Sequence, residues 1–120
     1  MKKIISALLI ILCLASCAFA FSKKGVIPQG DPIAYKGLKI TDDGVSLVLV
    51  NRSDKAVTIN AALTFLDARR REQGDIYIEK TTIAPEGEAV FRDLFLKGDA
   101  KACRKAESLR WTIYLLETDK

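Results

Sequence analysis

Between Val57 and Asp67 the chain alternates, with Val57, Ile59, Ala61, Leu63 and Phe65 set against Thr58, Asn60 and Thr64. Only an extended strand sends successive side chains to opposite faces, so this stretch predicts a strand with one apolar face on a core. The same period of two recurs along the chain. Val45 to Asn51 carries Val45, Leu47 and Leu49 on one face and Val48 and Val50 on the other, which predicts a central strand covered on both sides. The polar cluster Asn51-Arg52-Ser53-Asp54-Lys55 between these two strands predicts a hairpin turn.

Further strands are expected at Asp75 to Lys80, at Ala89 to Phe95 with Phe91 and Phe95 facing the core, and at Leu109 to Glu117. In the last of these, Leu109, Trp111, Ile113 and Leu115 share one face, and Arg110, Thr112 and Tyr114 the other. Turns at Asp42-Asp43-Gly44 and Pro85-Glu86-Gly87-Glu88, and a charged loop from Ala68 to Gly74, separate them. With 120 residues there is material for one domain. Five to seven short strands without a long helical pattern make it all-β, a small antiparallel β-sandwich. One exception is a short helix near residues 99–108, where Asp99 can cap an alanine- and lysine-rich stretch with Ala102, Cys103 and Ala106 on one face.

The chain opens on Met1-Lys2-Lys3 and an apolar run from Ile4 to Leu14. As a helix that run spans about 17 Å against roughly 30 Å of hydrocarbon, which suits a signal peptide and not a membrane span. Leu14-Ala15-Ser16-Cys17 follows directly and resembles the lipobox of bacterial lipoproteins. The resemblance implies a signal peptide over 1–16, cleavage before Cys17 and a thioether-linked diacylglycerol on its sulfur. Two or more acyl chains anchor stably where one does not. Ala18 follows Cys17 where an aspartate is associated with inner-membrane retention, so the resemblance implies the periplasmic face of an outer membrane. The competing reading is Ala18-Phe19-Ala20, an A-x-A site whose cleavage would leave a soluble periplasmic protein starting at Phe21.

Residues 17–37 lack a sustained period and carry Pro28, Gly30 and Pro32, so they read as a tether or an irregular first edge, with the sandwich domain over 38–120. Within that domain, Asn51 after a strand, Leu63-Thr64-Phe65-Leu66-Asp67 closing the next, and Ile83-Ala84-Pro85-Glu86-Gly87-Glu88 before a strand reaching Phe91 form a pattern. It resembles the immunoglobulin-like modules of small bacterial envelope proteins, of the FxLYD type. Two departures stand out: Leu66 where the module has tyrosine, and the basic Ala68-Arg69-Arg70-Arg71 where it has an acidic residue and glycine. The resemblance implies an immunoglobulin-like sandwich and no enzymatic activity.

Formal charge is +4, and +2 once Lys2 and Lys3 are removed, too weak for a nucleic-acid footprint. Histidine is absent, which takes away the commonest general base and transition-metal ligand. No nucleophile–base pair, metal-ligand spacing or cofactor motif is legible, and Asp31, Asp42 and Asp43 lack the spacing of a calcium loop. Cys103, an unpaired cysteine of an exported chain, reads as a small core residue, with an intermolecular disulfide or a reactive thiol as alternatives. Arg69, Arg70 and Arg71 read as a solvated hairpin tip, or as a contact for lipid or glycolipid phosphates. Lys23 and Lys24, near the anchor, read as a solvated pair, with contact to anionic head groups as the alternative. Trp111 and Phe65 read as core residues. The expected function is a membrane-anchored, non-enzymatic module that binds another envelope protein. The alternative is a binding or sensing module that meets an anionic glycolipid or peptidoglycan fragment through the arginine loop or an inter-sheet cleft.

Overall fold

The computed structural model describes residues 21–119, which form two antiparallel sheets of four strands each. The strands are β1 (Gly25–Val26), β2 (Ile33–Thr41), β3 (Gly44–Asn51), β4 (Val57–Leu66), β5 (Glu72–Ile83), β6 (Glu88–Leu94), β7 (Lys97–Gly98) and β8 (Ser108–Thr118), with helix α1 (Ala100–Arg104) before β8. One sheet runs β1-β2-β3-β6 and the other β7-β5-β4-β8. The fold is a small β-sandwich. Of its three non-sequential pairings, β3 with β6, β4 with β8 and β5 with β7, the first two are those that link strands B to E and C to F in an immunoglobulin sandwich. The signal segment 1–16, Cys17 and the alternative cleavage site at Ala20 lie outside the described residues.

The alternating residues of β4 behave as their pattern requires: Val57, Ile59, Ala61, Leu63 and Phe65 are fully buried against Val45, Leu47 and Leu49 of β3 and Ile76 and Ile78 of β5. Burial of each such side chain contributes roughly 1.5–3 kcal/mol.

Four expectations are corrected. First, β3 and β4 do not form a hairpin. β3 belongs to one sheet and β4 to the other, so Arg52 to Ala56 carries the chain across the sandwich. β3 is central, between β2 and β6, but Val48 and Val50 on its outer face are only half-buried, with no second layer over them. Second, the domain begins well before residue 38. Ile27, Ile33, Ala34 and Tyr35 are core residues, and β1 and β2 are sheet strands. The reason lies at Gly37, whose φ of 63° sits within an irregularity of the β2–β3 register between Lys36 and Lys39. That bulge moves the buried face from Ile33 and Tyr35 to Leu38 and Ile40, and so hides the alternation.

Third, β8 carries a bulge of its own. Asn60 pairs with Leu115 and Ala61 with Ile113, so Tyr114 is the extra residue. Beyond it Leu116, not Leu115, joins Leu109, Trp111 and Ile113 against the core. Fourth, Phe95 lies outside β6 and is 82% exposed, whereas Phe91 does pack against the core. Boundaries also move. β5 starts at Glu72, inside the expected loop, and α1 stops at Arg104 instead of Ser108, since the chain must enter β8. Asp99 caps α1 as expected, accepting from the Ala102 amide at 3.2 Å.

Candidate functional site

An immunoglobulin sandwich places strand G beside F and strand D beside E. Among the described residues nothing occupies the corresponding positions beside β8 and β6, so each sheet ends on a strand paired along one side only. β8 is the longer, eleven residues against seven. In an antiparallel edge strand every second residue directs its N–H and C=O away from the sheet, so β8 presents a row of unpaired backbone groups. The Tyr114 bulge interrupts that row, leaving Ser108 to Ile113 as its regular half.

Beside that half a cleft of about 250 Å³ opens between β8 and the β1–β2 edge, lined among others by Phe21, Val26, Tyr35, Leu109 and Trp111. Tyr35 and Trp111 meet across it with ring centroids 5.5 Å apart. Tyr35 donates its hydroxyl to the Ser22 carbonyl at 3.0 Å, and burial pushes the phenol pKa up. Trp111 has no such partner. Its Nε1 is buried and donates to no acceptor among the described residues, a position that ordinarily costs free energy until an acceptor is supplied. Trp111 was thus read correctly as a packing residue, but its position at an open edge was not legible from the alternation.

The opposite lateral opening, between β5 and the β6 edge, forms a larger groove of about 550 Å³ with Tyr77, Phe91, Leu94 and Phe95 in its walls and Asp75, Glu79, Lys80 and Lys97 at its rim. Val90 and Tyr77 are both more than half exposed nearby.

The arginine run sits in the β4–β5 hairpin loop, and its backbone is held by Asp67. The Asp67 carboxylate accepts from the amides of Arg69 at 2.9 Å and Arg71 at 2.8 Å, from Arg71 Nε at 2.8 Å and from Gln73 Nε2 at 3.3 Å. These donors hold its pKa below the usual carboxylate value, the Arg71 amide foremost. Arg71 is therefore engaged in its own loop, while Arg69 and Arg70 are exposed and enter no ion pair.

Cys103 is fully buried beneath α1, against the α-carbon of Gly74. A Cβ at Gly74 would stand 2.6 Å from the Cys103 sulfur and 2.9 Å from the Lys97 carbonyl, so β5 needs glycine for α1 and β7 to close on it. Burial, reinforced by Asp99 and Asp75, pushes the thiol up to about 11. The neighbouring basic residues do not activate it, because the sulfur is inside. Asp42 accepts from Arg104 at 3.3 Å, and no group of three potential metal ligands occurs among the described residues.

Compared with protein-family models, with curated proteins and with solved structures, the chain matches none.

Proposed function

We propose that this chain is an exported lipoprotein, anchored through Cys17 at the periplasmic face of the outer membrane, whose sandwich binds an envelope protein without catalysing a reaction. Contact is made by strand addition: an extended segment of the partner lies along Ser108 to Ile113 of β8, in the place strand G takes in an immunoglobulin sandwich. The observation that carries this reading is Trp111, whose buried indole N–H lacks an acceptor at the very edge where an incoming strand would bring carbonyl groups. The apolar cleft beside it would receive alternate side chains of the partner, which gives the contact selectivity.

Site-specific photocrosslinking in intact cells tests the contact. A photoreactive residue at Arg110 or Thr112 is expected to yield a discrete adduct, and one at Val48 or Val90, on the outer face of the other sheet, is not. Equal yields from all four positions overturn the strand-addition reading. The anchor is tested separately. Intact mass of the membrane-purified protein should exceed the chain from Cys17 by its acyl groups, and Cys17→Ser should lose that increment. A parent protein without it refutes the anchor.

A further inference from the structure

The described chain begins at Phe21, and Phe21 is already part of the fold. Its amide donates to the Ala106 carbonyl at 3.3 Å, and its ring stacks on Phe65 with centroids 5.5 Å apart. Next, the Lys23 carbonyl accepts from the Leu38 amide at 3.1 Å. The chain therefore leaves the sandwich at one defined end, the one that also holds the Asp42–Asp43 turn, the arginine loop and α1. Glu107 ties that end together by donating to the Leu66 carbonyl at 2.9 Å, just before Asp67.

Cys17 precedes Phe21 by four residues. Fully extended, four residues span at most about 14 Å. An anchor on Cys17 consequently holds this end, and no other, within about 14 Å of the bilayer surface, half the freedom a tether to residue 37 would have allowed or less.

Charge is divided to match. Lys23, Arg69, Arg70, Lys101 and Lys105 are exposed at this end and enter no ion pair among the described residues. Of the acidic residues there, Asp42 pairs with Arg104, Asp67 with Arg71 and Glu72 with Arg110, and Asp99 caps α1, while Asp43 and Glu107 enter no ion pair among the described residues. Screening lengths are about 8 Å at physiological ionic strength and about 30 Å at 0.01 M. At 0.01 M basic groups on a leash of about 14 Å stay within the field of an anionic surface, and at physiological ionic strength they feel it once the end is drawn in to about 8 Å.

We infer that this basic end is a membrane-contact surface: Lys23, Arg69, Arg70, Lys101 and Lys105 rest on the anionic phospholipid head groups of the leaflet that holds the acyl anchor. The inference rests on the reading of Cys17 as that anchor. Docking in this way stands the sandwich on end, with β8 rising from the surface at Ser108 and its free edge exposed sideways to partners. Asp67 has a positioning part, since it holds the loop from which Arg69 and Arg70 project.

Trp111, the single tryptophan of the chain, reports the contact by energy transfer to a dansyl-labelled lipid. The membrane-purified full chain is reconstituted into phosphatidylcholine vesicles with or without phosphatidylglycerol. Transfer is expected to be higher with phosphatidylglycerol and to fall to the neutral-vesicle value as salt rises from 0.01 to 0.5 M, about the range over which screening becomes complete. Replacing Arg69, Arg70, Lys101 and Lys105 by serine should lower the docked-to-undocked ratio about fivefold per residue. The salt titration of the parent needs no variant and so does not depend on how the substituted chain folds. Transfer indifferent to lipid charge and to salt, in protein whose mass shows acylation, overturns the basic end and leaves the anchor standing. Unacylated protein with salt-sensitive transfer in phosphatidylglycerol vesicles alone sinks the anchor and keeps the contact. Failure of both readouts removes both.

Discussion

Asn51 donates through Nδ2 to the Ile83 carbonyl at 3.1 Å, joining two of the three places where the chain passes from one sheet to the other. The same nitrogen reaches the Lys55 carbonyl at 2.7 Å and the Ala84 carbonyl at 3.1 Å, and Oδ1 accepts from the Ser53 amide and hydroxyl. With two protons for three carbonyls, Ile83 and Ala84 share one. Asn51 is fully buried, so its removal strands acceptors that water does not reach. Asn51→Ala is expected to destabilise the domain by about 3–5 kcal/mol, more than a lone hydrogen bond, because several buried groups lose their partner together. Asn51→Asp should cost at least as much, since a carboxylate cannot donate. Urea unfolding midpoints at an unchanged m-value would check both.

Gly74 touches Cys103 so closely that the pair behaves as one packing unit. Gly74→Ala should cost about 1–3 kcal/mol by overpacking. Adding Cys103→Ala should recover only part of this, because the Lys97 carbonyl still blocks the new methyl. A double-mutant cycle on denaturation free energies measures that coupling.

The raised thiol of Cys103 gives the fold an alkaline limit. Its pKa rises from 9.0 to about 11 on folding, so folding favours the protonated form. The stabilisation is complete below pH 9 and is lost as pH climbs through about 11, by on the order of 2–3 kcal/mol. Cys103→Ala should flatten that part of the stability profile. Thiol reagents should label native protein at neutral pH only at the rate of global or local opening.

Asp67→Asn should leave the sandwich intact but loosen the loop it organises. Faster hydrogen exchange at the Arg69 and Arg71 amides is the expected readout, with the rest of β4 unchanged. In the native loop the lowered carboxyl has the opposite sign to Cys103. Its contribution is present above the ordinary carboxylate range and fades as pH falls through the depressed folded value.

Trp111→Phe keeps most of the ring packed on Tyr35 and removes the unpartnered N–H. Stability is expected to change by less than about 1 kcal/mol in either direction, because an unmade bond costs nothing further to lose. Crosslinking from Arg110 should fall severalfold if the indole is what an incoming strand engages.

Much of this architecture was legible wherever one unbroken alternation ran the length of a strand. β4 is the clearest case: five apolar residues at a spacing of two, all buried. Where a bulge interrupts the strand the period reverses, and local reading fails with it. Gly37 concealed the start of the domain in this way, and Tyr114 moved the core contact from Leu115 to Leu116. Phe95 misled for a different reason, since its apolarity says nothing about which side of a strand's end it falls.

Residue order was enough to settle what an unbroken strand such as β4 could bury, the Asp99 cap and the basic hairpin loop, because these depend on neighbours within a few positions. Which strands pair is decided by contacts between residues far apart in the chain. The polar turn after Asn51 is compatible with a hairpin or with a crossing, and only the competition among all the strands for apolar cover selects the crossing. The same competition leaves β8 at an edge, buries Cys103 under α1, and brings Phe21, the arginine loop and α1 to one end of the sandwich. Free edges and shared ends are properties of the assembled sheets, so no local pattern of side chains encodes them.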